Sequence, residues 1–310
     1  MGETRNIHSN KKISLVLGSG GARGITHIGA IRCLEAHGYE IKSIAGSSMG
    51  ALIGGIHATG KLDIFQEWIT ALDKTDIFQL LDFSFGRGGL VKGEKIIDVF
   101  LKMIGEYQIE DLPIRYTAVA TDVEREKEIW FTTGPLFEAI RSSISIPSLF
   151  TPHYYRGMKL MDGGLLNPVP ITPTVGDGYD LTIAINLNAI LSKNNERNVV
   201  EEPVKKESTN KFQDKFNQFL TDVLPQKKVI EAPEFLTDKF NLLDIMSHSM
   251  DIMQNAITQS KLSVARPDIM IDIPRDVSGI FDFHKANELI EIGYKLTEEA
   301  LNNWEANHSH

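Results

Sequence analysis

Twice near its start the chain runs from a short apolar stretch through a glycine-rich turn into apolar residues at helical spacing, and this repetition constrains the fold most. Ile13 to Leu17 opens onto GSGGARG, after which Ile25, Ile28, Ala30, Ile31 and Leu34 recur every three or four residues. Ile41, Ile44 and Ala45 then lead into GSSMG, and Ala51, Leu52 and Ile56 continue as an apolar helix. Strand followed by helix, twice over, brings the strands back in the same direction and implies a parallel sheet. Such a sheet is covered by helices on both faces. The pattern predicts an α/β chain of three layers, α/β/α, around a mainly parallel central sheet, and 310 residues with 42% apolar content suffice for that core.

The rest of the chain extends the same architecture. Leu62, Phe65, Trp68, Ile69 and Leu72 predict a helix within 62–85, running toward the glycine-rich FGRGGLVKG, and Ile96, Val99, Phe100 and Met103 predict another. RYTAVATD at 115–122 alternates as a strand does, with Glu128 to Thr132 as a hairpin partner. PLFEAIRSSISIPSLFTP begins helical at Pro135 and has to stop near Pro147, Leu160 and Met161 lead a short strand into DGG, and LTIAINL at 181–187 is a further strand. From Ile190 to Lys211 the composition turns to Lys, Glu and Asn, an exposed loop or linker. Phe212, Phe216, Phe219, Leu220, Val223 and Leu224 follow as one apolar stripe that suits core packing and a lid or membrane-docking face equally. Leu242 to Leu262 predicts a helix with Met246, Met250 and Met253, suited first to core packing and otherwise to lining an acyl channel; IMIDI is the next strand and Phe283 to Leu301 the last helix. The expected organisation is a flexible start at 1–12, a core at 13–189, a charged linker and helical cap or insertion at 190–265, a strand and helix returning to the core at 266–303, and a tail at 304–310.

Charge narrows the partners. With 32 basic and 41 acidic residues the chain carries −9, a field that repels nucleic-acid backbones, so no nucleic-acid partner is expected. Cys33 has no second cysteine to pair with, which fits a reducing compartment. The polar MGETRNIHSNKK runs straight into ISLVL without the adjoining apolar region and cleavage site of a secretory signal, and the uncharged stretch from Ser43 to Gly60 is too interrupted by glycine for a membrane span. Cytoplasmic residence is the expectation, with peripheral membrane contact, non-classical secretion and oligomerisation left open.

The turns carry the chemistry. Gly46, Ser47, Ser48, Met49 and Gly50 match G-x-S-x-G, in which small residues let a strand turn directly into a helix and lift the Ser48 hydroxyl above the sheet. The same residues also suit an ordinary strand-helix turn with Ser48 as an N-cap. In the earlier loop the backbone N–H groups of Gly20, Gly21 and Ala22 can converge on an oxyanion, while Arg23 positions the loop or binds substrate. A dinucleotide loop is disfavoured, because Arg23 falls where the third glycine of GxGxxG belongs, and no GxxxxGK precedes a Ser or Thr. Asp162, in MDGGLLNPVP, sits before a glycine pair that permits a tight turn, so it is either a general base aimed into the cleft or a capping residue. At the usual carboxylate pKa of ~3.9 it would be a weak base for a serine hydroxyl. His153, His248 and His284 are the imidazole alternatives.

Taken together, GSGGARG, GSSMG and DGG in this order resemble the patatin-like phospholipase family, especially its compact bacterial members. The resemblance covers roughly Ile13 to Leu187, and RPDIMIDIP with GIFDFHKANELIEIGY resembles the end of the bacterial subgroup. The common loop of the family is G-G-G-x-Arg/Lys-G; here Ser19 replaces the first glycine and Gly20, Gly21, Arg23 and Gly24 keep the rest. The resemblance implies a patatin-like fold and a Ser-Asp dyad of Ser48 and Asp162. It further implies an oxyanion hole at Gly20 to Ala22 and a lipid or other carboxylic ester as substrate, with no cofactor or metal. Two other readings are a non-catalytic acyl-ligand-binding or regulatory protein and a Ser-His-Asp esterase.

Overall fold

The computed structural model describes residues 11–80, 91–190 and 236–308. Eight strands among them form one sheet: β1 (Lys12–Leu17), β2 (Glu40–Ser47), β3 (Arg115–Asp122), β4 (Lys127–Phe131), β5 (His153–Tyr155), β6 (Met158–Asp162), β7 (Leu181–Ala189) and β8 (Ile269–Pro274). The helices are α1 (Thr26–Ala36), α2 (Met49–Ala58), α3 (Leu62–Ala71), α4 (Lys74–Leu80), α5 (Glu94–Ile104), α6 (Leu136–Ser143), α7 (Leu236–Leu262) and α8 (Ala286–His308). Among the described residues no helix is long and apolar enough to cross a membrane.

Strands β8, β7, β1, β2 and β3 run parallel in that spatial order, with Leu15 of β1 registered against Ile44 on one flank and Ile183 on the other. The pleat sends Ile13, Leu15, Leu17, Ile183, Ile185 and Ile271 into one large core beneath α1, α2 and α8. Val16 and Ala184 point the other way, to a smaller cluster with Val169, Ile171 and Leu262 at the end of α7. Helices thus lie on both sides of a mostly parallel sheet, but the burial is unequal. Both faces being covered, β1 is buried at every position from Ile13 to Leu17, Ser14 included, rather than alternating between buried and exposed.

Three antiparallel strands decide where the site falls. A strand has two edges, and each stretch of edge takes one neighbour. β2 and β4 both register against Ala118 and Val119 of β3, so they occupy opposite edges. β4 and β6 both register against Ala120 to Asp122, so they too are opposite. β6 therefore lies on the edge that β2 uses, beyond the end of β2 and running against it. The two strands meet carboxyl end to carboxyl end, Ser47 beside Val119 and Asp162 beside Ala120.

Several sequence expectations need correction. The single helix within 62–85 is two, because Asp73 starts a new one: its Oδ1 accepts the Thr75 and Asp76 N–H groups at 2.8 Å each, and Asp76 Oδ2 accepts the Asp73 N–H at 3.1 Å. β1 begins at Lys12, inside the stretch assigned to a flexible start. Residues 304–308, assigned to a tail, continue α8, where Trp304 packs against the core and its ring stacks on His308 with centroids 4.6 Å apart. α8 joins the core by close approach to α1: a Cβ on Gly29 would lie 1.8 Å from the Ile290 carbonyl oxygen, and one on Gly293 2.0 Å from that of Thr26. The stripe at 212–224 lies outside the described residues.

Candidate active site

Ser48 alone turns the chain from β2 into α2, at φ 54 and ψ −124. That conformation is strained for any residue with a side chain. The turn is possible because the flanking glycines leave no Cβ: one on Gly46 would lie 2.4 Å from the Gly50 carbonyl oxygen, and one on Gly50 2.0 Å from that of Leu17. The G-x-S-x-G spacing is thus a steric requirement. The Ser48 N–H donates to Ser143 Oγ at 2.9 Å, and the Ser143 hydroxyl donates to the Val119 carbonyl at 2.6 Å.

At the end of β6, Asp162 is fixed from both backbone sides. Its N–H donates to the Ser145 carbonyl at 2.9 Å, and its own carbonyl accepts from Thr121 Oγ1 at 3.0 Å. The carboxylate accepts the Gly164 N–H on Oδ1 at 2.7 Å and the Ser48 hydroxyl on Oδ2 at 2.5 Å. Both side chains are buried. Burial pushes the Asp162 pKa up to about 7, and the bonds from Ser48 and Gly164 pull against that rise. The base that looked too weak in sequence is strengthened by its surroundings.

The end of α6 therefore holds both residues, Ser48 through Ser143 and Asp162 through Ser145. Ser143→Ala leaves the buried Ser48 N–H without its acceptor, which should cost about 1–3 kcal/mol of stability. We expect kcat to fall roughly tenfold or more, because small misplacements of reacting groups are expensive. The acid limb of the pH–rate profile should stay put, since Asp162 keeps its contacts. Thermal unfolding and a pH series on a soluble ester check both; an unchanged kcat would remove Ser143 from the support.

The glycine loop divides the amides that sequence grouped together. Gly20 and Gly21 line the cavity in front of Ser48. Ala22 does not offer its amide: the N–H already donates to the Ile280 carbonyl at 3.0 Å, because the short 3₁₀ turn Gly21–Ile25 packs onto the segment after β8. Arg23 is buried and turned onto the protein, its Nε donating to the Gly20 carbonyl at 3.1 Å and its Nη2 to Asp251 of α7 at 2.8 Å. Ser19 Oγ accepts a long bond from Gln254 Nε2 at 3.5 Å, and Gln254 Oε1 accepts from Asn188 Nδ2 at 2.8 Å.

No histidine among the described residues bonds Ser48. His153 pairs with Glu138 at 2.9 Å, His248 is exposed on α7, and His284 lies in the 3₁₀ turn Phe283–Lys285. A Ser-His-Asp arrangement is therefore not what the elbow serine has built around it. Sequence reasoning missed Ser143, Ser145, Asp251 and Gln254. The run SSIS carried a faint signal, three hydroxyls closing an amphipathic helix, whereas Asp251 and Gln254 carried none.

Two cavities share Ser48, Gly21, Ile146 and Phe281. One opens beneath α7 and is edged by Ser19, Arg23, Asp162, Ser247, Asp251 and Gln254. The other lies between α3, α4 and α5 and is apolar, with Phe65, Trp68, Leu72, Ile77 and Phe100 in its wall. Of the methionines expected in the core, Met246 and Met250 line the first cavity, while Met246 and Met253 are 40% and 52% exposed.

A family model described as patatin-like phospholipase matches residues 15–175, which makes the fold that of a lipid hydrolase. The chain belongs to the patatin-like phospholipase family. It is 36% identical to an NTE family protein of Mycobacterium tuberculosis over 96% of its own length and 93% of that protein's. A protein of the yeast Meyerozyma guilliermondii named lysophospholipase NTE1 is 26% identical across 97% of the chain, which spans 20% of that larger protein. Among solved structures, VipD from Legionella pneumophila shares the fold, with a TM-score of 0.55 and 15% identity over 94% of this chain and 67% of VipD.

Proposed function

We propose that the protein is a serine acyl hydrolase of single-chain lipid esters, lysophospholipids foremost, with Ser48 as nucleophile and Asp162 as its base. The observation that carries this reading is the 2.5 Å contact between the Ser48 hydroxyl and Asp162 Oδ2, on a carboxylate whose pKa burial lifts to about 7. A base is most useful when its pKa lies near the working pH. Ser48 Oγ attacks the ester carbonyl while its proton passes to Asp162, and the amides of Gly20 and Gly21 receive the oxyanion. Asp162 then hands the proton to the departing alkoxide, leaving an acyl-enzyme. Water attacks that ester, again losing its proton to Asp162, and Ser48 leaves carrying the proton back as the fatty acid departs.

The two cavities support the substrate assignment. The apolar one suits a single acyl chain, since burying each CH₂ is worth about 0.8 kcal/mol. The one edged by charged and amide side chains suits the glycerol and headgroup of the leaving alcohol. The relatives named lysophospholipase point the same way.

A fluorophosphonate should label the wild type and leave Ser48→Ala untouched, and kcat/KM should favour a lysophospholipid over the matching diacyl lipid at least roughly tenfold, on the order of what a mismatched chain costs a pocket. Labelling that survives in Ser48→Ala, or acyl-ligand binding without any turnover, would defeat the proposal. Equal rates on one-chain and two-chain lipids would defeat the substrate class alone.

A further inference from the structure

We infer that Asp251, on α7, is a positioning residue for the oxyanion loop and acts on it through Arg23. The inference rests on the reading of Gly21 as an oxyanion donor. In a planar trans peptide the carbonyl and the N–H point in opposite directions, so whatever grips the Gly20 carbonyl also aims the Gly21 N–H. Arg23 supplies that grip through Nε, at 3.1 Å. The Gly21 N–H is thereby turned away from the guanidinium, and Gly21 lines both cavities together with Ser48. The neighbouring Ala22 amide is tied to Ile280, so the Gly20–Gly21 peptide is the unit of the loop whose plane the arginine sets.

An arginine can set a plane only if its own fork is held. Nη1 donates to the Arg275 carbonyl at 3.2 Å and to Asp251 Oδ2 at 3.4 Å, while Nη2 donates to Asp251 Oδ1 at 2.8 Å. The two-pronged contact with a carboxylate fixes the orientation of the guanidinium as well as its place. The two side chains are only 4% and 14% exposed, so water does little to loosen the pair. Asp251 is the carboxylate in this set, and it arrives from 228 residues away in sequence. The same helix walls the leaving-group cavity with Met246 and Met250. The helix beside the departing alcohol is therefore also the one that aims the donor for the oxyanion.

The test uses the full chain and a soluble short-chain ester, so that lipid packing does not enter. Asp251→Ala should lower kcat roughly 10- to 100-fold, below the loss from deleting a donor outright. KM for this ester should stay within about threefold and the acid limb of the pH profile near the wild-type position, because a short-chain ester carries no lipid headgroup to meet Asp251 and Asp162 keeps its contacts. Fluorophosphonate labelling should slow by a similar factor, since the phosphoryl oxygen occupies the oxyanion position. Arg23→Ala and the Arg23→Ala/Asp251→Ala double variant should fall to the same level, as residues acting in series do. Should the alanine variant not fold, Asp251→Asn carries the test, with Asp251→Glu expected to recover part of the rate. Additive losses in the double variant, a kcat within twofold of wild type, or a loss confined to KM would overturn the inference. Ser48→Ala separates the two readings: an inert Ser48→Ala beside fully active Asp251 variants sinks this inference and spares the dyad, whereas an active Ser48→Ala sinks the dyad itself.

Discussion

Ser48→Gly should give a protein that is inert yet more stable than Ser48→Ala. Both substitutions delete the nucleophile, and turnover should drop by about four orders of magnitude or more in each. Both also delete the hydroxyl that donates to Asp162, so the lost hydrogen bond cancels in the comparison. What remains is the backbone at φ 54 and ψ −124, where alanine keeps its Cβ and glycine has none. Holding a residue in such a region costs on the order of 1–3 kcal/mol, and glycine's greater freedom when unfolded takes back part of the relief. A net advantage of about 1 kcal/mol for glycine is expected, measured by urea denaturation of the two variants side by side. Equal midpoints would mean that the elbow stores no strain.

The second large effect lies at Asp162. Asp162→Asn should lose roughly three orders of magnitude in kcat, the scale of general-base assistance, and yet unfold at higher urea than wild type at pH 8. The sign follows from the direction of the shift. A carboxyl whose pKa is about 7 when folded and near ~3.9 when unfolded holds its proton more tightly in the native state. Above pH 7 it is ionised in both states, and the native state carries the full desolvation penalty. As the pH falls from 7 toward 4 the native carboxyl takes up a proton first and the penalty fades. Asparagine never carries it, and its amide can donate to Ser48 Oγ while its oxygen accepts from Gly164. The gain should reach a few kcal/mol at pH 8, at about 1.4 kcal/mol per pKa unit, and shrink toward nothing near pH 4. In the wild type the same titration sets an acid limb near pH 7 in the rate profile, activity being present above it and lost below. A variant no more stable at pH 8 than at pH 4, relative to wild type, would show that burial does not strain this carboxylate.

The elbow and the DGG turn were readable in sequence because their glycines mark turns that admit no Cβ. Gly46 and Gly50 have carbonyls where a Cβ would go, and no other residue fits. The parallel strands were readable because Ile13 to Leu17 and Ile183 to Leu187 are buried on both faces and are mostly apolar. Asp162 was visible as a residue but not as a strong base, since its pKa is a property of the walls around it. Ala22 was misjudged because the Ile280 carbonyl that captures its N–H comes from the far end of the chain. Asp251 was invisible for the same reason, and the faint signal of the SSIS run did not reveal Ser143: each has meaning only through a partner that folding delivers. The break at Asp73, by contrast, was there to be read in DKTD, a capping pair that outweighed the run of helical spacing around it.

β2 and β6 abut along a single edge of β3, and this has a consequence for how the molecule tolerates change. The serine and the carboxylate are carried by one ruler, the backbone of Val119 and Ala120, so their separation is set by one step of a hydrogen-bonded ladder. The helices α3, α4 and α5, between β2 and β3, do not enter that distance. They can be lengthened, trimmed or exchanged to suit a different lipid, and the reacting oxygens will still face each other.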